Sequence, residues 1–215
     1  MVEFIINKKD DIVPNGLIIN PTISPVYNDD DDSIPQTFHG LSSSISEVSH
    51  RNYEKVSEII KSMSRGGILE IGVARHNNAN RSFSHAIINN KQDSDIYLGV
   101  DVDDKTFLND TNKNIFTIQT SSSNQETIRN KLKEVGINKL SILFIDGYHS
   151  VNMAINDWKY SDLLNDNGII IVHDTNGHPG PVALLKSIDQ TKYSIERLFT
   201  EFNDDYGLTI IRKKN

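Results

Sequence analysis

The sequence predicts an α/β fold built on a doubly wound, mostly parallel seven-stranded sheet. Short apolar runs rich in Ile and Leu alternate with amphipathic helical patterns, which is typical of such sheets. Two of the runs, Leu140 to Ile145 and Gly168 to His173, flank a helical pattern and form a βαβ unit, whose right-handed crossover makes the strands parallel. Two later strand patterns are joined by a short turn, Asn203 to Gly207, and predict a C-terminal antiparallel hairpin.

Composition limits the class of protein. The chain has 215 residues, of which 37% are hydrophobic and 24% charged, as is ordinary for a soluble globular protein. The absence of a long apolar run and of a basic, apolar leader predicts a cytoplasmic protein without a membrane partner. Because the chain has no cysteine, His and carboxylates are its metal-capable side chains, which favours hard cations. A net charge of −7 does not attract phosphate backbones, so no nucleic-acid partner is expected.

Residues 1–40 differ in character from the rest of the chain. They are rich in proline and contain a run of aspartates from Asp29 to Asp32 and two short apolar stretches. We interpret them as an N-terminal arm with one or two short strands. The aspartate run lacks the interleaved Gly and the distal Glu of a calcium-binding loop, so a solvated acidic loop is the favoured interpretation.

The core elements follow in a regular order. Apolar spacing from Leu41 to Met63 predicts one long or two short helices, and a second helix runs through Phe83 and Ile88. The predicted core strands are Gly67 to Ile71, Ile96 to Asp101, Ile115 to Thr120, Leu140 to Ile145 and Gly168 to His173, and the hairpin strands are Tyr193 to Phe202 and Leu208 to Ile211. A short helix or turn is expected near Asp103 to Leu108.

Three helix starts carry their own sequence signals. Ser123-Asn-Gln-Glu126 has the pattern of a capping box and opens a helix that runs to about Val135. Ser150 is placed to cap a helix with one apolar stripe for the sheet. That stripe consists of Val151, Ala154, Ile155 and Trp158. Pro181 suits the first position of a helix over Val182 to Ile188.

Acid and imidazole side chains gather at one predicted edge of the sheet. Asp146, His149, His173 and Asp174 follow two parallel strands, so they emerge at the carboxyl edge, where open α/β sheets hold ligands. The two strands lie ~4.8 Å or twice that apart, close enough for Asp146 and Asp174 to reach one cation, and oxygen ligands suit Mg²⁺. His173 is either a weaker third ligand or a packed, hydrogen-bonded histidine.

The first two strands end in residues that suit a nucleotide-like ligand. Gly72 lets the backbone turn sharply and approach a ligand. Asp101 ends the second strand, where an acid accepts hydrogen bonds from ribose hydroxyls in nucleotide-binding sheets. The alternative for a single aspartate at a strand end is a turn cap.

The order of elements, together with Glu70-x-Gly72, Asp101 and the closing hairpin, resembles the class I S-adenosylmethionine-dependent methyltransferases over roughly residues 45–212. A narrower resemblance is to the branch with macrolide-sugar O-methyltransferases and cephalosporin-hydroxylase-type proteins. It rests on Phe144-Ile-Asp146-Gly147-x-His149, Asp157, Leu163-Leu164, Gly168 and His173-Asp174. Residues 41–215 would then form the methyltransferase-like domain.

The resemblance implies a cofactor, a metal and an acceptor. The cofactor would be S-adenosylmethionine, bound by Glu70, Gly72, Ala74, Asp101, Ser121 and Asp146. A divalent cation, with Mg²⁺ as the best match, would be held by Asp146, His173 and Asp174. His149 matches the base position in the sugar O-methyltransferases, and the acceptor would be a small, sugar-like molecule. The sequence leaves the oligomeric state open, and a homo-oligomer is one of the states it allows.

Two segments bear on this interpretation. His76-Asn77-Asn78 stands where relatives usually carry a second loop glycine, and Thr120 to Ser123 replaces their Gly-Asp-Ser adenine contact. The alternative to an enzyme is therefore a protein that keeps the fold and binds a ligand or partner without chemistry. The polar loop Thr175 to Pro181, with two glycines, is expected to be exposed, to line the acceptor site and to move during turnover.

Overall fold

The computed structural model describes residues 48–63, 66–75, 81–201 and 205–214. The predicted N-terminal arm with its aspartate run, the start of the first helix pattern and the turn that contains His76 lie outside these ranges. Within them, no helix combines the length and the apolar character needed to cross a membrane.

Over the described residues, seven strands form one sheet in the order β3-β2-β1-β4-β5-β7-β6. The strands are β1 Gly67–Ile71, β2 Ile96–Asp101, β3 Ile115–Gln119, β4 Leu140–Ile145, β5 Leu164–His173, β6 Tyr193–Leu198 and β7 Leu208–Lys213. Strands β1 to β5 are parallel, and β7 pairs antiparallel with both β5 and β6. The predicted doubly wound sheet with its C-terminal antiparallel pair is confirmed. Because the strand order reverses between β1 and β4, their carboxyl ends form the crevice where such sheets bind ligands.

Helices cover both faces of the sheet. The described residues form five α-helices, which are α1 His50–Ser62, α2 Phe83–Ile88, α3 Gln125–Glu134, α4 Val151–Trp158 and α5 Pro179–Ser187. One buried cluster joins α1 and α2 to the sheet through residues such as Val56 and Phe83. The other joins α3, α4 and α5 to the opposite face through residues such as Ile128, Ile155 and Leu184. The alternating pattern read from the sequence therefore gives a three-layer α/β/α core.

Helix α4 forms as its sequence predicts. The Ser150 hydroxyl accepts a hydrogen bond from the backbone N–H of Met153 at 3.2 Å, which satisfies one of the unpaired donors of the first turn. The predicted apolar stripe is buried against the sheet, and Trp158 at its end has no exposed surface. This cap fixes the chain direction immediately after His149.

Several element boundaries differ from the predictions. The capping box at Ser123 is wrong, because α3 has Asn124 at its N-cap without a side-chain bond, and the Ser123 hydroxyl bonds to that of Ser121 at 2.8 Å. Strand β5 begins earlier than predicted, at Leu164, and β6 ends earlier, at Leu198. The turn expected near Asp103 to Leu108 is a 3-10 turn over Thr106–Leu108.

Helix α5 begins at Pro179, two residues before Pro181, which was predicted to occupy its first position. Both prolines lie in the first turn, where they leave no N–H without a partner. The N–H of Gly180 between them donates to the carbonyl oxygen of His149 at 2.8 Å. The start of α5 is therefore tied directly to the β4–α4 loop.

This contact generates a stability prediction for Gly180. A Cβ atom at this position would overlap the carbonyl oxygens of His149 and Ser150, which belong to the backbone and cannot rotate away. We expect Gly180→Ala to lower the free energy of unfolding by about 1–3 kcal/mol. Urea denaturation measures the change. Lys186→Ala, on the exposed side of the same helix, is the control, and an equal loss in both variants would contradict the proposed overlap.

Candidate active site at the carboxyl edge

The structure brings the four predicted acid and imidazole residues together. Strands β4 and β5 are in register with Ile145 opposite Val172, so Asp146 and His173 leave the sheet side by side. The Nδ1 atom of His173 lies 2.8 Å from Asp146 Oδ1 and 3.3 Å from Asp174 Oδ1. On the other side, His149 Nε2 lies 2.6 Å from Asp174 Oδ2. One continuous chain of contacts thus runs from Asp146 to His149.

Asp174 lies at the centre of this series of side-chain contacts. Its backbone adopts φ 60°, in the left-handed region that aspartate tolerates better than most residues, and its side chain is 7% exposed. Burial by itself would raise the pKa of the carboxyl, but pairing with His173 and His149 holds the pKa of Asp174 well below its ordinary value. Asp174 is therefore ionised at neutral pH and accepts hydrogen bonds from both rings.

His173 is packed as well as hydrogen-bonded. Its ring meets Phe83 edge-on, with 4.7 Å between centroids, and its buried Nε2 atom has no hydrogen-bond partner within the described part of the chain. Burial would lower the pKa of the imidazole, yet the charges of Asp174 and Asp146 raise it well above its ordinary value. The geometry matches the packed, hydrogen-bonded role that the sequence left open, and the role of metal ligand stays a prediction.

His178 belongs to the site and was missed by the sequence analysis. It is 6% exposed, and its ring lies 4.0 Å from that of His149 and 5.9 Å from that of Tyr206, centroid to centroid. His149, Asp174 and His178 each offer one ligand atom within 4.8 Å of the other two. The available signal was a third histidine in the loop that follows His173-Asp174, just before Pro179.

Most of the loop Thr175 to Pro181 is buried, contrary to the expectation of an exposed segment, and Gly177 is its exposed residue. Thr175 is 1% exposed, and its hydroxyl accepts a hydrogen bond from that of Thr209 at 3.0 Å. Asn176 donates through its backbone N–H to Tyr206 and through its side chain to the carbonyl oxygen of Asp205, at 2.8 and 2.9 Å. Polar partners near β7 replace solvent around Thr175 and Asn176. The place of this loop beside an acceptor and its movement during turnover stay predictions.

Gly72 follows β1, where the backbone that follows β4 leaves no room for a side chain. It has φ +83°, and an added Cβ would overlap the carbonyl oxygen of Asp146, whose N–H donates to Ile71 at 2.8 Å. The sharp turn predicted for Gly72 is present, and its close approach is to the β4 backbone. This contact sets Asp146 beside the turn that follows β1.

Asp101 braces that turn. Its Oδ2 atom accepts a hydrogen bond from the N–H of Val73, and its Oδ1 atom accepts one from Asp103, both at 2.9 Å. The turn-cap role considered from the sequence is therefore present. A carboxylate oxygen can accept more than one hydrogen bond, so the predicted ribose contact stays compatible with this geometry.

The other predicted cofactor residues lie around the same turn. Ala74 is buried, and its N–H donates to the Ser84 hydroxyl at 2.9 Å. Glu70 is 1% exposed and accepts a hydrogen bond from the Tyr97 hydroxyl, and burial raises the pKa of its carboxyl to about 8. Ser121 lies after β3, half-buried, with its hydroxyl bonded to that of Ser123. The structure places all three near the β1–α2 turn or the neighbouring strand ends.

The similarity of this chain to known proteins lies in its structure and not in its sequence. The sequence matches no family model, and no curated protein resembles it at a significant level. Among solved structures, the methyltransferase MycE from the mycinamycin biosynthetic pathway, in complex with Mg, S-adenosylhomocysteine (SAH) and mycinamycin VI, superimposes with a TM-score of 0.56 at 16% identity over 77% of this chain and 49% of its own. This chain has the S-adenosylmethionine-dependent methyltransferase fold.

Two further solved structures share the methyltransferase fold. CalS11, a TDP-rhamnose 3'-O-methyltransferase of calicheamicin biosynthesis, has a TM-score of 0.54 at 11% identity over 75% of this chain and 79% of its own. An O-methyltransferase from Bacillus cereus, in complex with SAH, has a TM-score of 0.56 at 11% identity over 79% and 83% of the two chains. The present chain spans about half the length of MycE.

The acid and imidazole cluster fits a divalent cation at this edge of the methyltransferase fold. Asp146, His173 and Asp174 each offer one ligand atom within 4.8 Å of the other two, and metal–oxygen bonds of about 2.1 Å need separations of about 3 Å. The two carboxylates are the oxygen donors that Mg²⁺ prefers. His173 Nδ1 already lies 2.8 Å from Asp146 Oδ1 and 3.3 Å from Asp174 Oδ1, between these two oxygen donors.

Asp157 lies beneath the same edge, on α4. Its side chain is fully buried, and its Oδ2 atom, which faces Gly147, has no hydrogen-bond partner among the described residues. Burial, offset in part by Ser122 and Asn156, raises the pKa of Asp157 to about 7. The carboxyl therefore carries a charge that costs stability near and above neutral pH.

This burial predicts a pH-dependent stability. The folded protein holds the Asp157 proton more tightly than the unfolded chain, so stability falls as pH rises from about 4 to about 7. We expect Asp157→Asn to raise the free energy of unfolding at pH 8 by on the order of 2 kcal/mol and to change it little at pH 4. Urea denaturation at both pH values tests this, with the exposed Asp166→Asn as control. An equal change at the two pH values would refute the assignment.

Proposed function

We propose that the chain transfers a methyl group from S-adenosylmethionine to a hydroxyl of a small polyhydroxyl acceptor, with His149 as the base. The observation that carries this proposal is the 2.6 Å contact between His149 Nε2 and Asp174 Oδ2 at the carboxyl edge of the methyltransferase fold. An ionised aspartate oriented against an imidazole is the arrangement that general-base catalysis requires. The His149 side chain is 20% exposed, so an acceptor can reach it from solvent.

The hydrogen bond between His149 and Asp174 determines which nitrogen of His149 acts as the base. Because Asp174 is ionised, Nε2 of His149 carries the proton that is donated to it, and Nδ1 is the nitrogen able to accept a proton. The acceptor oxygen attacks the methyl carbon, the carbon–sulfur bond breaks, and the hydroxyl proton passes to His149. The products are a methyl ether, SAH and a protonated imidazole paired with Asp174.

The donor would occupy the crevice between β1 and β4. We propose that Asp101 accepts hydrogen bonds from the ribose hydroxyls while it braces Val73, since its side chain remains 13% exposed. Gly72 and Ala74 would border the methionine end, and Ser121 the base. Glu70 would act through Tyr97, because its carboxyl is enclosed in the core.

We also propose that Asp146 and Asp174 hold a divalent cation, with Mg²⁺ as the best match. Bound there, the cation would lower the pKa of an acceptor hydroxyl and so ease its deprotonation. His149 would receive that proton, and His173 would hold the orientation of the two carboxylates. MycE is described in complex with Mg and mycinamycin VI, and CalS11 is described as a TDP-rhamnose 3'-O-methyltransferase, which supports a metal and a sugar-like acceptor.

The base assignment gives the first functional prediction. His149→Ala should lower kcat by about 10²–10⁴-fold and leave the affinity for SAH within a few-fold of wild type. Methyl transfer from labelled donor to a panel of sugar nucleotides and glycosides measures the rate, and calorimetry with SAH measures binding. His50→Ala, on the surface of α1, is the control.

Each outcome has a distinct meaning. Full activity of His149→Ala would show that His149 is not the base. Wild-type protein that does not bind SAH would overturn the proposed function. Binding of SAH without transfer to any acceptor would favour a protein that keeps the methyltransferase fold without its chemistry.

The metal assignment is tested separately. EDTA should abolish methyl transfer and Mg²⁺ should restore it, because the two carboxylates supply the oxygen ligands. Asp146→Asn removes one charged ligand and should weaken Mg²⁺ binding, measured by calorimetry, at least about 10-fold. Undiminished activity in EDTA would rule out the metal and leave the His149 assignment intact.

A further inference from the structure

His149, Asp174 and His178 form a second group of ligand atoms at the same edge. Each offers one atom within 4.8 Å of the other two. Two imidazoles and one carboxylate form a different donor set from the oxygen-rich pair of Asp146 and Asp174. We propose that these three side chains form a binding site for a borderline transition-metal ion such as Co²⁺, Zn²⁺ or Ni²⁺.

The spacing of the donors suits such an ion. Bonds of about 2.0 Å place the corners of a tetrahedral zinc-type site about 3.3 Å apart. His149 Nε2 and Asp174 Oδ2 lie closer than this, at 2.6 Å, and the widest pair lies within 4.8 Å. A cation would therefore enter by replacing the proton between His149 and Asp174 and drawing His178 inward.

The backbone holds the two histidines together before any metal binds. Gly180, in the first turn of α5, donates to the carbonyl oxygen of His149 at 2.8 Å. His178 is the N-cap residue of that helix, and its carbonyl oxygen accepts from Val182 at 3.1 Å. The rings already lie 4.0 Å apart between centroids, with 44° between their planes. Little chain entropy is lost when the site closes, which favours binding.

The chemistry of the donors sets the choice of metal. Imidazole nitrogens suit Zn²⁺, Co²⁺ and Ni²⁺, whereas carboxylate oxygens and water suit Mg²⁺. The site offers two nitrogens and one oxygen as ligand atoms. The preference for transition metals over Mg²⁺ is therefore the reverse of that expected for Asp146 and Asp174.

Asp174 belongs to both donor sets. A transition metal bound by His149 and His178 would take an oxygen from the Mg²⁺ ligands and occupy the imidazole that we assign as the base. Inhibition of methyl transfer by Zn²⁺ or Co²⁺ would follow, and this consequence rests on the proposed function. The binding itself does not rest on it, because it needs the three side chains alone.

The test uses the full chain, freed of any affinity tag, with Co²⁺ as the probe. Wild type should develop visible d–d absorption on Co²⁺ addition that excess Mg²⁺ does not remove. His178→Ala and His149→Ala should each weaken Co²⁺ binding at least about 10-fold, since each removes a ligand. His50→Ala, a surface histidine on α1, should bind as wild type does. Asp146→Asn should keep Co²⁺ binding while it weakens Mg²⁺ binding.

The outcomes separate this proposal from the proposed function. Circular dichroism and thermal melts check that each variant folds, and His178→Gln serves as the second variant if His178→Ala does not. Co²⁺ affinity that is unchanged in both the His178 and the His149 variants overturns the site. Loss of Co²⁺ affinity in these variants supports the transition-metal site even if wild type binds no SAH. If wild type binds SAH but not Co²⁺, the transition-metal site is overturned and the proposed function is not.

Discussion

The buried Asp174 carboxylate is the interaction on which the candidate site depends. Each of its oxygens meets a different histidine, His149 and His173, and its φ of 60° turns the chain sharply at the end of β5. That turn places the Thr175 hydroxyl against Thr209 of β7. It also places the first turn of α5 against the β4–α4 loop. An L-residue without a short polar side chain would be strained here, so backbone conformation and side-chain chemistry select the same residue type.

A second layer of contacts keeps the edge rigid. The buried Asp205, next to Tyr206, accepts hydrogen bonds from Arg51 at 2.7 Å and from Asn52 at 3.2 Å, which joins α1 to the β6–β7 connection. Asn176 in turn bonds to the backbone of Asp205. The segment that contains Asn176 is thus fastened to α1, on one face of the sheet. Precise positioning of a base and a carboxylate benefits from such support, since small displacements cost large factors in rate.

Much of the fold could be predicted because it rests on local signals. Apolar runs bounded by glycine or polar residues gave the limits of β1, β2 and β4, and the Ser150 cap with its apolar stripe gave α4. The convergence of Asp146 and Asp174 followed from parallel strand topology alone. These features need few long-range contacts to be specified.

The features that were missed depend on partners distant in sequence. Thr175 and Asn176 looked like exposed loop residues, but polar groups near Thr209 and Asp205 bury them. His178 gave no periodic signal, and its place beside His149 follows from how α5 docks on the β4–α4 loop. The capping box is different, because it failed for a local reason: the Ser123 hydroxyl bonds to that of Ser121, a competition common for hydroxyl side chains.

Histidine at position 173 changes the electrostatics of the edge. An acid at this position would place three carboxyl groups around one point, and their mutual repulsion would favour a bound cation. Here His173 lies between Asp146 and Asp174, and its pKa is raised well above the ordinary value by their charges, so the imidazole is protonated and neutralises part of the cluster. Part of the negative charge of the edge is therefore balanced by the protein itself. A cation that binds to Asp146 and Asp174 has to compete with this internal charge, so its affinity should be lower than in a site built from carboxylates alone.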